Sequence, residues 1–140
     1  MAEDAGKSGY KVSNIVLLDS KFWRKSNIDF SRANNFDNSV DIKNSHVVRE
    51  NKELLCSVEL TYTSLDIDEK IVEAKITMIG LFEKVGEPEL TFEQFGKINA
   101  PAIIFPFIRE HLASLSAKGA MSTIMIPPVN FVALAESAKK

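Results

Sequence analysis

Two stretches of strict alternation stand out along the chain. From Glu53 to Leu65, Leu54, Cys56, Val58, Leu60 and Tyr62 alternate with Ser57, Glu59, Thr61 and Thr63. From Lys70 to Glu83, Val72, Ala74, Ile76, Met78 and Phe82 alternate with Glu73, Lys75 and Thr77. A period of two sends alternate side chains to opposite faces, so both stretches predict strands with one apolar face. The polar link Asp66 to Glu69 predicts a hairpin between them, although it lacks an Asn-Gly or Asp-Gly pair. Gly80 predicts a bulge or a close approach by another backbone.

The earlier chain is less regular. Tyr10 to Asp19 places Val12, Asn14, Val16 and Leu18 on one face and Ile15 and Leu17 on the other, which predicts a strand buried on much of both faces. Such burial suggests a contact beyond the core of one subunit. Residues 20–39 then lose periodicity and turn polar, yet carry Phe22, Trp23, Phe30 and Phe36. Long irregular segments are uncommon in compact domains and are often functional. The rings either tack this loop onto the core or line an accommodating apolar surface. Ser39 to Val48 gives a weaker strand with Val40 and Ile42 on one face, Asp41 and Lys43 on the other, and one face in water.

Beyond Glu83 the period changes. Val85 to Phe95 reads as a connection with a short helical turn around Leu90 to Phe95. A long helix follows, with Asn99 as its N-cap, Pro101 in its first turn and Gly119 as a left-handed stop. Ile104, Ile108, Leu112 and Leu115 form its apolar stripe. Pro106 removes a hydrogen bond from the helix interior, so the sequence predicts an irregular start and regular helix from Phe107 to Lys118. Ile124 and Ile126 extend the chain to Pro127 and Pro128, and Asn130 caps a last short helix with Phe131, Leu134, Ala135 and Ala138 at helical spacing. Strands first and helices afterwards predict an α+β fold: a four-stranded antiparallel sheet with one long helix and a shorter C-terminal helix packed on one side. Residues 1–9 read as a flexible leader and 10–140 as a single domain.

Composition narrows the function. A hydrophobic content of 45% in 140 residues supports a real core. With 17 basic and 19 acidic residues the net charge is −2, which gives no electrostatic case for nucleic acid or for a polybasic membrane patch. The longest apolar run, Ala100 to Ile108, contains two prolines and falls far short of the roughly 20 residues that span a bilayer. MAEDAGKSGYK lacks the basic and apolar regions of a signal peptide. The lone Cys56 excludes an internal disulfide and favours a reducing compartment, so the chain reads as soluble and cytoplasmic.

Catalytic chemistry finds no foothold. No glycine-rich phosphate loop follows a strand, and there is no G-x-S-x-G elbow. His46 and His111 read as solvated, Cys56 as a small buried hydrophobe, and Asp66, Asp68 and Glu69 as a solvated turn without the glycine and final glutamate of an EF-hand. No metal or cofactor site is expected, and the chain reads as a binding protein without enzymatic activity.

The string NAPAIIFPFIREHLASLSAKGAMSTIMIPPVNFVAL carries a more specific signal. Asn99, Pro101, Ile104, Phe105, Pro106, Phe107, Arg109 and Glu110, then Gly119, then Pro128 to Phe131, resemble the signature region of the SecB export-chaperone family. The resemblance implies a bacterial, cytoplasmic, ATP-independent chaperone (a holdase) that assembles as a homotetramer, a dimer of dimers, and binds unfolded polypeptides in long hydrophobic grooves for protein export. It implies sheets on the outer faces, long helices between dimers, and clients lying against the crossover loop, the second strand and the helices. By segment correspondence the client-binding residues are Phe22, Trp23, Phe30, Phe36, Val40 and Ile42. Family members dock on the SecA motor through acidic positions of the sheet. Asp19 keeps one such position as a possible translocase contact, whereas Trp23 and Lys75 occupy the next two. A SecB-like chaperone for a dedicated client such as an antitoxin is therefore an alternative, and a small-ligand-binding α+β domain is another.

Overall fold

The computed structural model describes residues 8–138. Four strands come first: β1 (Gly9–Arg24), β2 (Asp37–Arg49), β3 (Glu53–Asp66) and β4 (Glu69–Val85). They form one antiparallel sheet in the order β1-β4-β3-β2. The helices follow: α1 (Phe92–Gln94) runs through a π-turn (Phe95–Asn99) into α2 (Ala100–Lys118), and α3 (Phe131–Ala138) closes the described chain. This is the α+β arrangement that the change of period predicts. The expected leader falls mostly outside the described residues, and Gly9 already belongs to β1.

The core lies between one face of the sheet and α2. Leu54, Cys56, Val58 and Leu60 of β3, with Val72, Ala74, Ile76 and Phe82 of β4, are fully buried. They meet Ile104, Ile108 and Leu112 of α2, also fully buried. Each such aliphatic or aromatic side chain contributes about 1.5–3 kcal/mol through removal of apolar surface from water. Gly80 sits beneath this contact: a Cβ there would come within 2.9 Å of Ile104 Cδ1. The close approach is thus to a helix side chain, not to the backbone that the sequence suggested, and β4 has no bulge at that point.

Both hairpin turns use left-handed residues without glycine. Glu50 and Asn51 (φ 51° and 54°) join β2 to β3, and Ile67 and Asp68 (φ 47° and 67°) join β3 to β4. Paired positive φ values match the right-handed twist of the flanking strands, which explains a tight hairpin at Asp66–Glu69 despite its unpromising sequence.

Several sequence expectations shift in register. β1 carries bulges at Ser13 and Leu18, so Val12, Ile15 and Leu17 face the helices while Asn14 and Val16 face outward. It also continues to Arg24, which takes Phe22 and Trp23 out of the irregular segment and into the sheet. The helix starts earlier than its proline suggested: Thr91 and Gln94 form a reciprocal capping box, and Asn99 lies within helical backbone with no side-chain cap. Pro106 is accommodated inside α2 on its exposed side. Gly119 has φ −81°, and the left-handed residue is Ala120 (φ 55°). Gly119 is needed for another reason, because a Cβ there would meet the Phe22 ring at 3.1 Å. Asn130 does cap α3, its Oδ1 accepting the Ala133 N–H at 3.0 Å.

Candidate functional site

The sheet leaves β2 as an edge strand, and the apolar face of that edge is not covered by α2. Here three distant segments meet. The 3-10 helix Phe30–Asn35 supplies Phe30 and brings Phe36 after it, the Val40 and Tyr62 positions pair across β2 and β3, and residues 121–127 pass overhead without joining the sheet. Together they enclose an open-sided cavity of about 330 Å³. Phe30 and Phe36 pack edge to face at 6.0 Å and form its aromatic wall. Met121 and Ile124 form the roof.

The polar groups in the cavity are settled by local partners. Ser64 donates to Asn38 Oδ1 at 2.7 Å. Burial pushes the Tyr62 hydroxyl above its ordinary value, with a Ser64 hydrogen bond acting in the opposite direction, so the ring stays neutral at physiological pH. The lining is mixed: aromatic, aliphatic and thioether side chains stand beside the neutral polar groups of Asn38, Ser64, Ser122 and Thr123, with no ionised group among them. Such a surface can take up apolar side chains.

The roof is fastened to α2 by side chains instead of a strand ladder. Ser116, fully buried, accepts the Ile124 N–H at 2.9 Å and donates to the Ala113 carbonyl at 2.8 Å. Arg109 reaches the Ile126 carbonyl at 3.5 Å. Ile124 is thereby held inward, while Met125 projects into solvent with 78% of its surface exposed.

The sequence-predicted residues separate into groups. Phe30, Phe36 and Val40 line the cavity. Ile42 lies on the same face of β2 and packs half-buried against the core. Phe22 also faces the helices, but at the Gly119 end of α2. Trp23 is on the opposite, outward face, in a separate depression with Lys21, Thr61, Glu73 and Lys75. Asp19 is exposed on that outward face opposite Thr77. Tyr62, Met121 and Ile124 belong to the cavity and were not singled out by sequence, although the alternation at Tyr62 and the break after Gly119 mark where they lie.

Other chemistry-bearing residues have structural partners. His46 packs against Gly96, where a Cβ would lie 2.6 Å from its ring, and His111 Nε2 is 2.8 Å from Ser20 Oγ. Both are thus engaged with neighbouring elements and differ from the solvated histidines expected. Cys56 is fully buried, and desolvation pushes its thiol up to about 12. Among the described residues no cluster of His, Cys, Asp and Glu is arranged to hold a metal ion, and no helix is long and apolar enough to cross a membrane.

Comparison with known proteins decides the family. The model for SecB, preprotein translocase subunit SecB, matches residues 25–140. The chain belongs to the SecB family. This SecB-family chain is 29% identical over 135 residues to the protein-export protein SecB of Hyphomonas neptunium, covering 96% of this chain and 81% of the relative. It is 24% identical over 136 residues to that of Saccharophagus degradans, covering 95% and 80%. Among solved structures it is similar to a SecB-like chaperone of Mycobacterium tuberculosis in complex with a ChAD peptide from the HigA1 antitoxin. That fold matches with a TM-score of 0.74 at 12% identity and covers 86% of this chain and 91% of the other. SecB-family proteins are chaperones, so the family, the four-stranded sheet and the helix pair agree with the class of protein that the Asn99–Phe131 signature implied.

Proposed function

We propose that this chain is an ATP-independent holdase that keeps polypeptides unfolded by taking apolar segments into the cavity between β2, the Phe30–Phe36 wall and residues 121–127. The observation that carries the reading is the make-up of that cavity: an aromatic wall, a methionine-bearing roof without a strand ladder, and a free strand edge beside them. Methionine repacks around differently shaped apolar groups, which suits many clients. The unpaired edge of β2 offers N–H and C=O groups to an extended backbone whatever its sequence, so affinity does not require a fixed motif. Phe30, Phe36 and Val40 are the proposed primary contacts, with Ile42 beneath them. Phe22 supports the fold at one end, and Trp23 is outside the site.

The reading includes assembly as a homotetramer, a dimer of dimers, in the cytoplasm. Exposed apolar side chains support it: Val12 and Leu17 of β1 and Ile103 and Phe107 of α2 are 36–49% exposed in the single chain. Covering these, with the free edge of β1, removes a surface that invites uncontrolled strand pairing. A second reading, a chaperone for a dedicated client such as an antitoxin, is favoured by the outward sheet face. There Lys21 lies directly opposite Lys75, and Trp23 follows Lys21 by two positions. These groups meet a basic motor poorly, which argues against tight docking on a SecA-type partner even though Asp19 is available.

The test is suppression of aggregation of a chemically denatured model protein without nucleotide, with light-scattering mass measured on the same samples. The wild type should suppress aggregation as a tetramer. Phe36→Ala should keep its mass and lose most of the activity. A folded wild type that binds no unfolded chain would overturn the reading.

A further inference from the structure

A single guanidinium touches the end of α2, the start of the crossover segment and the aromatic wall of the cavity. Arg24 ends β1 on the helix-facing side, opposite the buried Val72. Its Nη1 donates to the Gly119 carbonyl, its Nε to the Lys25 carbonyl at 3.1 Å and its Nη2 to the Ser26 carbonyl at 3.2 Å. Its Cζ stands 4.4 Å from the centre of the Phe30 ring. The first contact fixes the end of α2, from which the roof departs, and places a cation at the negative end of the helix dipole. The next two fix the start of the crossover segment. The last holds the aromatic wall.

Phe30, only 9% exposed, borders two spaces. It lines the apolar cavity with Phe36 and Tyr62, and it also lines a second space of about 360 Å³ with Arg24, Asp29, Ser31 and Met121. A ring that partitions two spaces is not held by close packing alone, since close packing is what normally confines a side chain to one rotamer. Arg24 lines that second space as well, with its guanidinium carbon over the Phe30 ring.

We propose that Arg24 is the positioning residue of the client cavity, holding Phe30 against Phe36 and setting the gap between wall and roof. The proposal rests on the client-binding reading of that cavity. Its partners are three neutral carbonyls and an aromatic face, so its role depends on the planar, forked geometry of the guanidinium more than on its charge. Lysine keeps the charge but lacks the plane that stacks and the fixed directions that reach three carbonyls.

A double-mutant cycle on client affinity tests this. The probe is a reduced, carboxymethylated model protein that stays unfolded, titrated against wild type, Arg24→Ala, Phe30→Ala and the double variant, with thermal unfolding as the control for folding. If Arg24 acts through Phe30, each single change weakens binding about tenfold and the double change weakens it by about the same factor, not about a hundredfold. Arg24→Lys should lose as much affinity as Arg24→Ala. Should Arg24→Ala fail to fold, the cycle is run with Arg24→Gln. Additive losses, or full rescue by lysine, would overturn the assignment. The outcomes also separate it from the reading beneath it: a wild type that does not bind the probe overturns both, whereas a wild type that binds, a Phe30→Ala that does not and an Arg24→Ala equal to wild type overturn only the role of Arg24.

Discussion

The β3–β4 hairpin and the walls of the cavity are built from similar side chains and held in different ways. In the hairpin alternate residues of β3 from Leu54 to Ser64 are buried, most of their β4 partners are buried too, and the backbones pair from Glu53↔Glu83 to Asp66↔Glu69 with one irregularity, at Ile71. Around the cavity, Phe30, Phe36, Ile124 and Met121 are also apolar, but their segments carry no strand ladder and are fastened by Arg24, Ser116 and Arg109. The first arrangement has a ladder hydrogen bond for nearly every backbone group and resists local opening. The second is held at a few points and can open without loss of the sheet. The proposed holdase uses both regions, the first for stability and the second for access by a client.

The largest effect should follow damage to the hairpin. Phe82→Ala removes a fully buried ring packed at 5.2 Å from Phe95. We expect a loss of about 3–5 kcal/mol in global stability by denaturant unfolding. A loss below about 1 kcal/mol would show that the hairpin is not the rigid half of the molecule.

Cys56 gives a second test of the same region through pH. Its thiol has a folded value raised by burial from 9.0 to about 12. The neutral form is therefore favoured by folding. Stability from this group is fully present below pH 9 and is lost as pH rises toward 12, at about 1.4 kcal/mol per pH unit once the unfolded thiol ionises. Unfolding at a series of alkaline pH values, compared with Cys56→Ala, isolates the contribution of this thiol. A reactive thiol in the native state at pH 8 would contradict the burial.

A smaller and more local effect is expected from the roof. Ser116→Ala leaves the Ile124 N–H without its buried acceptor, a cost of about 1–3 kcal/mol. Because the lost contact fastens the roof, hydrogen exchange should accelerate across residues 121–127 and remain slow in β3 and β4. Uniform acceleration in both would dissolve the distinction between a rigid hairpin and a separately fastened wall.

Legibility from sequence follows the same division. The period of two in β3 and β4 reflects one buried and one less buried face, and it is visible wherever a strand is continuous. β1 defeats the simple count because bulges at Ser13 and Leu18 each reverse the faces. Trp23 looked like a loop residue because polar neighbours interrupt the pattern; it is in fact paired with Glu73 on the outward face. Phe30, Phe36 and Val40 were legible as an aromatic segment followed by a half-exposed strand. Tyr62, Met121 and Ile124 were not, since the cavity forms only when segments far apart in sequence meet. The Asn99–Phe131 signature was specific enough to point to the family, but the capping box at Thr91 is what starts the helix.

The most direct test of the central claim compares the two sheet faces in one experiment. A photoactivatable side chain is placed at Phe36 in one variant and at Trp23 in another, and each is irradiated with a denatured, labelled model protein in the absence of nucleotide. We predict that Phe36 captures the unfolded chain, that Trp23 does not, and that native model protein competes with neither. Capture from Trp23 with none from Phe36 would place the client on the outward face and contradict the account.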